Sequence, residues 1–304
     1  VANMQVVVDL AKFDEMKKKI IILACFGLIS VLSANAQNVK GHELSVFGDY
    51  GLSTLNYNSS LGDVRNGLGG SFGLDYTYYF SKSFGLGTGF GVSFYNAKSQ
   101  IDCMDISYRS RDFEGSDFIF RSVITDYEEK QKTMMFKIPV MFRYRTSNDM
   151  FYAGVGVKLG IPVKSTFKAK NVNLKNTGFY EYENVEYDSP EFLGFGNFKR
   201  DSDGDIDFKL ACIVSAEFGM KWKLSENIAV KTGVYVDYGV NNIYKEKPGN
   251  MFVSYNSLSP EKFVCKSVMD SRYTGTDGVA IDFVDKVIPI AAGVKLSFVF
   301  DLSK

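Results

Sequence analysis

The sequence predicts an all-β chain that forms an eight-stranded antiparallel up-and-down transmembrane β-barrel, and three observations predict it. Long stretches alternate strictly between apolar residues and small or charged ones, as in strands whose successive side chains leave opposite sheet faces. Tight three-residue turns alternate with long connections, the pattern of short periplasmic turns and longer extracellular loops. After residue 36 no apolar run is long enough for a spanning helix, so insertion would require a closed barrel.

The stretch 207–240 carries the pattern most clearly. Phe208, Leu210, Cys212, Val214, Ala216, Phe218, Met220, Trp222 and Leu224 share one parity, against Lys209, Ser215, Glu217, Gly219, Lys221 and Lys223 on the other. After Ser225-Glu226-Asn227 the alternation resumes, with Ile228, Val230, Val234, Val236 and Tyr238 against Lys231, Gly233, Tyr235, Asp237 and Gly239. A run this long exceeds the usual strand of about 5–6 residues. Apolar on one face and polar on the other, it reads as a wall between lipid and a polar lumen.

From its start the chain reads as follows. Met16 opens a run of three lysines, an apolar stretch Ile20–Ser33 and the small residues Ala34 and Ala36, which is an export signal cleaved after Ala36. The apolar stretch is shorter than the roughly 20 residues a span needs. Ile22-Leu23-Ala24-Cys25 also matches a lipoprotein box, but the apolar run continues past Cys25. Residues 1–15 precede this complete signal and read as upstream sequence, so the domain organisation is 1–15, signal 16–36 and barrel 37–304. Removing residues 1–36 takes four Lys and three Asp/Glu from 35 and 35, leaving 31 and 32, a net charge of about −1. That balance points away from nucleic acid.

Strands are expected near 42–54, 68–80, 84–95, 133–146, 150–164, 207–224, 228–240 and 286–302. Turns fall at 81–83, 147–149 and 225–227, and long loops at 55–67, 96–132, 165–206 and 241–285. Tyr78, Phe80, Tyr144, Phe151 and Trp222 lie at strand ends next to the tight turns on the apolar face, where ring side chains form an interfacial girdle. Pro139 and Pro162 sit inside strands without a ladder donor, and a bulge is expected at each.

The inward parity collects Asp75, Lys137, Arg143, Lys158, Lys209, Glu217, Lys221, Lys231, Asp237 and Lys295. Eight strands leave an interior just wide enough for side chains to fill, and confined charges are costly unless they pair across it. Glycines 85, 87, 89 and 91 leave one wall bare for long side chains from facing strands. A filled lumen and a narrow channel lined by cations are the two readings of this set.

Segment 136–163, FKIPVMFRYRTSNDMFYAGVGVKLGIPV, resembles the strand-turn-strand of the PorT-like and OmpA-like outer-membrane β-barrel families, with its Ile-Pro strand, tight turn and Tyr/Gly-rich strand. Segment 207–243 and the terminal GVKLSFVF are similar to later parts of that pattern, although Asp301–Lys304 extend beyond the terminal Phe. The resemblance implies a monomeric outer-membrane protein whose partners are the lipid bilayer and an extracellular ligand or envelope protein met through the loops. It brings no catalytic motif and no cofactor.

Catalysis has little to draw on. The single histidine, His42, starts the first strand on the turn side, away from the outer rim where a lipid-modifying enzyme would need it. Asp201, Asp203 and Asp205 in DSDGDID offer oxygen ligands for Ca²⁺, but their spacing departs from the EF-hand loop, and a solvated acidic loop end reads as well. Rings such as Tyr180, Tyr182, Phe192 and Phe195 in the third long loop suit either a binding surface or a cap packed on the barrel. With Cys25 removed and Cys212 on the apolar parity, Cys103 and Cys265 are the pair expected to form a disulfide outside the cytoplasm.

Overall fold

The computed structural model describes residues 41–246, 251–274 and 278–302, so the export signal and the last two residues lie outside the described residues. Among the described residues there are fifteen strands, one 3₁₀ turn at Glu191–Leu193 and no α-helix. The strands are β1 (His42–Ser59), β2 (Asp63–Asn66), β3 (Leu68–Tyr79), β4 (Phe84–Arg111), β5 (Asp117–Arg145), β6 (Phe151–Tyr180), β7 (Val185–Tyr187) and β8 (Gly196–Asp205). They continue as β9 (Ala211–Lys223), β10 (Ile228–Gly239), β11 (Val253–Ser254), β12 (Val264–Cys265), β13 (Arg272–Thr274), β14 (Ala280–Asp282) and β15 (Val284–Asp301).

All strand ladders are antiparallel. β1 pairs with β3 and β15, β3 with β4, β4 with β5, and β5 with β6. β6 then pairs with β9, β9 with β10, and β10 with β15. Each of these eight long strands therefore has a hydrogen-bonded neighbour on both sides.

The pairing aligns the two faces predicted by parity. Tyr50, Val294, Val234, Phe218 and Ala153 lie in one cross-strand row, and the four larger side chains are more than half exposed. Val46, Phe72, Leu86, Val140, Val155, Leu296 and Phe298 extend the same apolar belt. A soluble monomer rarely exposes so large a contiguous apolar surface. Along β6 the exposed apolar side chains run from Phe151 to Val163, about 28 Å of height at a tilt near 45°. That matches a bilayer's hydrocarbon core.

Two expected loops are largely strand. β4, β5 and β6 are 28, 29 and 30 residues long, and they carry much of 96–132 and 165–206 beyond the belt as a continuous sheet with β7 and β8. The buried face switches parity between Ile101 and Met104 on β4, and between Ile124 and Tyr127 on β5, where Asp126 takes φ 54°. A further switch on β6 accompanies a register shift between Ala169 and Val172. Alternation counted on a single parity breaks at each switch, so the strands look shorter in sequence than they are.

The prolines divide. Pro162 sits at a register shift, with Met134 opposite Lys164 and Met135 opposite Pro162. Pro139 has no bulge. The β4–β5 ladder instead skips from Thr88–Val140 to Gly91–Lys137, and Thr88 Oγ1 donates to the Pro139 carbonyl at 2.9 Å.

Segment 251–285 does not stand apart as an outer loop. Phe252, Val253, Phe263, Val268, Met269 and Phe283 are buried against Tyr95, Phe118, Phe120, Ile124 and Tyr127, closing an apolar core inside the strand extensions. Ring pairs lock it, including Tyr127–Phe252 at 5.1 Å and Phe118–Tyr255 at 5.1 Å.

Candidate functional site

The interior between the long strands is built in three tiers, two of them ion-paired. In the middle tier Asp237 accepts from Lys137 Nζ at 2.8 Å and Lys158 Nζ at 2.7 Å. Lys295 Nζ reaches Asp75 at 2.9 Å and Glu217 at 3.1 Å, and Arg143 contacts both of those carboxylates. Asp75, Glu217, Asp237 and their cations are buried or nearly so, which is where a lone charge is most costly. Glycine makes the space: a Cβ on Gly87 would lie 2.9 Å from Arg143 Nε, and one on Gly154 would lie 3.0 Å from Glu217 Cγ. The cavity left among these groups is about 20 Å³, room for roughly one water.

The turn-side tier centres on Glu43. It accepts from Lys221 Nζ at 2.6 Å, from Lys231 and from Arg145, while Asp149 takes Lys221 at 2.8 Å. The rings of Tyr152 and Tyr79 stack under Lys231 and Arg145 at 5.4 and 3.8 Å. Lys209 falls outside this arrangement. It lies beyond the end of β9 and is exposed, because the alternation of 207–224 becomes a paired strand only from Ala211. Glu43 was missed by the parity count, although it shares the phase of Ser45 and Asp49.

Glu129 holds the outer tier and was missed for a different reason, since it lies within the expected loop 96–132. Its buried carboxylate accepts from Tyr127 Oη at 2.6 Å, Gln131 Nε2 at 3.0 Å, the Val268 amide at 3.0 Å and Ser267 Oγ. Tyr108 Oη donates to the Val253 carbonyl at 3.0 Å and accepts from the Tyr255 amide at 2.8 Å. Together these bonds moor segment 251–285 across the mouth. Extending the alternation Tyr127, Glu129, Gln131, Thr133 backwards from β5 would have found Glu129.

Tyr78, Phe80, Tyr144, Phe151 and Trp222 are all exposed near the turn end of the belt. Phe84 packs on Phe142 at 5.6 Å and on Tyr144 at 5.3 Å, and Trp222 Nε1 donates to Thr232 Oγ1 at 2.9 Å. His42 sits at the same end, its ring 4.8 Å from that of Tyr78.

One expectation is corrected. Cys103 and Cys265 are both free: Cys103 is exposed on β4, whereas Cys265 is buried inside the mouth, so the wall of the extension separates them. Burial pushes the Cys265 thiol up to about 12. In a Cys212→Ser background, maleimide is expected to modify Cys103 readily and Cys265 only after unfolding; comparable rates would contradict the packed mouth. Asp201, Asp203 and Asp205 lie on β8, all exposed on one side of an extended strand. No cluster that could hold a metal ion occurs among the described residues.

At the far tip, Phe113, Tyr182 and Phe192 are strongly exposed. Beside them a groove of about 390 Å³ is lined by Asp112, Glu114, Glu183, Tyr187 and Phe192. Other rings from the same segment face inward: Phe195 is buried and packs edge-on against Phe118 at 5.6 Å. The aromatic segment thus divides between cap and surface.

A sequence model of the family described as outer membrane protein beta-barrel domain matches residues 35–245. Among solved structures, similarity extends to the outer membrane protein OprG of Pseudomonas aeruginosa, at 11% identity and a TM-score of 0.35, covering 87% of this chain and 98% of that one. It extends also to Ail, the attachment invasion locus protein of Yersinia pestis, in complex with the heparin analogue sucrose octasulfate, at 13% identity and a TM-score of 0.31, covering 86% and 100%. The translocator domain of autotransporter NalP from Neisseria meningitidis is similar at 8% identity and a TM-score of 0.24, covering 94% and 97%. No curated protein sequence matches.

Proposed function

This chain belongs to the outer membrane protein beta-barrel domain family, and from that premise we propose that it is a non-enzymatic, monomeric, eight-stranded barrel with a filled lumen, acting at the cell surface through its outer extension. The signal 16–36 exports it, cleavage after Ala36 releases it, and the tight turns face the periplasm. The strand pattern of 136–163 resembles that of PorT-like and OmpA-like barrels, which supports this reading.

The observation that carries the reading is the interior. Charge pairs occupy the turn-side and middle levels, and the described residues of 251–285 fill the outer level, leaving about 20 Å³ among the middle charges. A pore needs a continuous water path, and a single-water cavity supplies none. The belt supports contact with lipid, and the acidic, aromatic tip groove supports binding of an external partner.

Planar-bilayer recording separates this from a narrow channel. The wild type is expected to show no unitary current steps. A steady open current, unchanged by Glu217→Ala, would overturn the filled lumen.

A further inference from the structure

We propose that the outer face of β5 and β6, with Lys199 of β8, holds the phosphates of an anionic lipid headgroup, in a lysine-lined groove just beyond the apolar belt. The proposal rests on the reading of the barrel as membrane-inserted, with its extension outward. The groove is about 600 Å³, and Lys130, Lys132, Lys168, Lys170 and Lys199 line it. Its acids are Asp126 and Glu128.

Position is the first argument. On β5 the outward parity runs Tyr144, Phe142, Val140 and Met134, and then becomes Lys132 and Lys130. On β6 the exposed apolar side chains end at Val163, and Lys164, Lys168 and Lys170 follow. The same wall therefore passes from hydrocarbon to cation within a few residues, the height at which headgroups begin. Lysine stems can lie along apolar surface while their ammonium groups seek a polar level, so reach toward that layer comes without strand distortion.

Charge is the second, independent argument. Lys98, Lys130 and Lys168 are directly opposite one another across three neighbouring strands. Like charges in directly opposed positions destabilise a sheet. Glu128 offsets only part of this row, at 2.6 Å from Lys98 and 3.8 Å from Lys130. Lys132, Lys168, Lys170 and Lys199 enter no ion pair among the described residues. Asp203 follows Lys168 in register on β8, yet no ion pair joins them. A multiply charged phosphate bridging the row supplies the missing counter-charge, and lysine meets phosphate as a point charge without a fixed fork geometry. The groove opens on the lipid side of the wall, away from the lumen, which favours a lipid-borne phosphate over a soluble one.

The test uses the protein purified from membranes in neutral detergent. Native mass spectrometry counts bound diphosphorylated lipid A, its dephosphorylated form, and inorganic pyrophosphate as the soluble anion. The wild type is expected to retain the diphosphorylated lipid at least tenfold better than the dephosphorylated one. Lys130→Gln/Lys168→Gln is expected to abolish that preference, and Lys132→Gln/Lys170→Gln serves as a second double variant should the first fail to fold. Equal retention of both lipids, or a preference untouched by the substitutions, would overturn the groove. Displacement of the lipid by equimolar pyrophosphate would assign the site to soluble anions and overturn the lipid source. Insertion is read separately, by heat-modifiable mobility and protease protection in liposomes. Loss of selectivity in an inserted barrel therefore refutes the groove alone, and failure to insert refutes the barrel reading.

Discussion

Asp237→Ala is expected to destabilise the folded protein by about 3–5 kcal/mol, because it leaves two lysines in the interior without their shared counter-ion. Lys137 Nζ and Lys158 Nζ both donate to this one carboxylate, whose side chain is 1% exposed. Lys137 is buried with it, and Lys158 is only partly exposed. Lys137→Met removes a charge from the opposite side of the pair and leaves Asp237 with Lys158 at 2.7 Å, so its cost should be much smaller. Urea titrations in liposomes check both variants. Equal, small effects would show that the middle tier is hydrated, and therefore open.

Val234→Arg is expected to cost about 2–4 kcal/mol, the penalty for an arginine at the middle of a lipid-facing strand. Val234 stands near the centre of β10, between Val294 and Phe218, and is 56% exposed. In water such an exposed position would accept arginine almost freely. Leu258 makes the control: it is 90% exposed on the outer segment, well away from the belt, and Leu258→Arg should be near neutral. Similar stabilities for the two variants in bilayers would contradict the assignment of the belt to lipid.

The parts of the fold legible in the sequence are those where one parity persists. From Ile228 to Gly239 the buried and exposed faces keep step with the residue number, and Lys231 and Asp237 could be placed inside from parity alone. The network was legible as a set of residue types but not as partners, because pairing such as Lys158 with Asp237 depends on which strands meet across the interior. Glu43 and Glu129 escaped for local reasons. The first begins its strand, and the second lies in the expected loop 96–132, although its parity is continuous with Lys137. The part that segment 251–285 takes in the packed mouth was not legible. Phe252, Val268 and Phe283 lie in a segment without sustained alternation, and only tertiary contact with β4 and β5 gives them a core to join. The same holds for Cys265, whose burial is set by its neighbours across the mouth rather than by its own strand of two residues.

The central claim is that one face of these strands meets lipid and the other a closed interior. Nitroxide labels placed singly at 231–236 on β10, in bilayers, test it most directly through their accessibility to oxygen and to a water-soluble nickel chelate. The account predicts alternation: labels at 232, 234 and 236 relaxed by oxygen, and labels at 231, 233 and 235 protected from both reagents. Uniform access of the nickel chelate along the strand would contradict it, as would labels at 231, 233 and 235 as open to the chelate as those on an exposed loop.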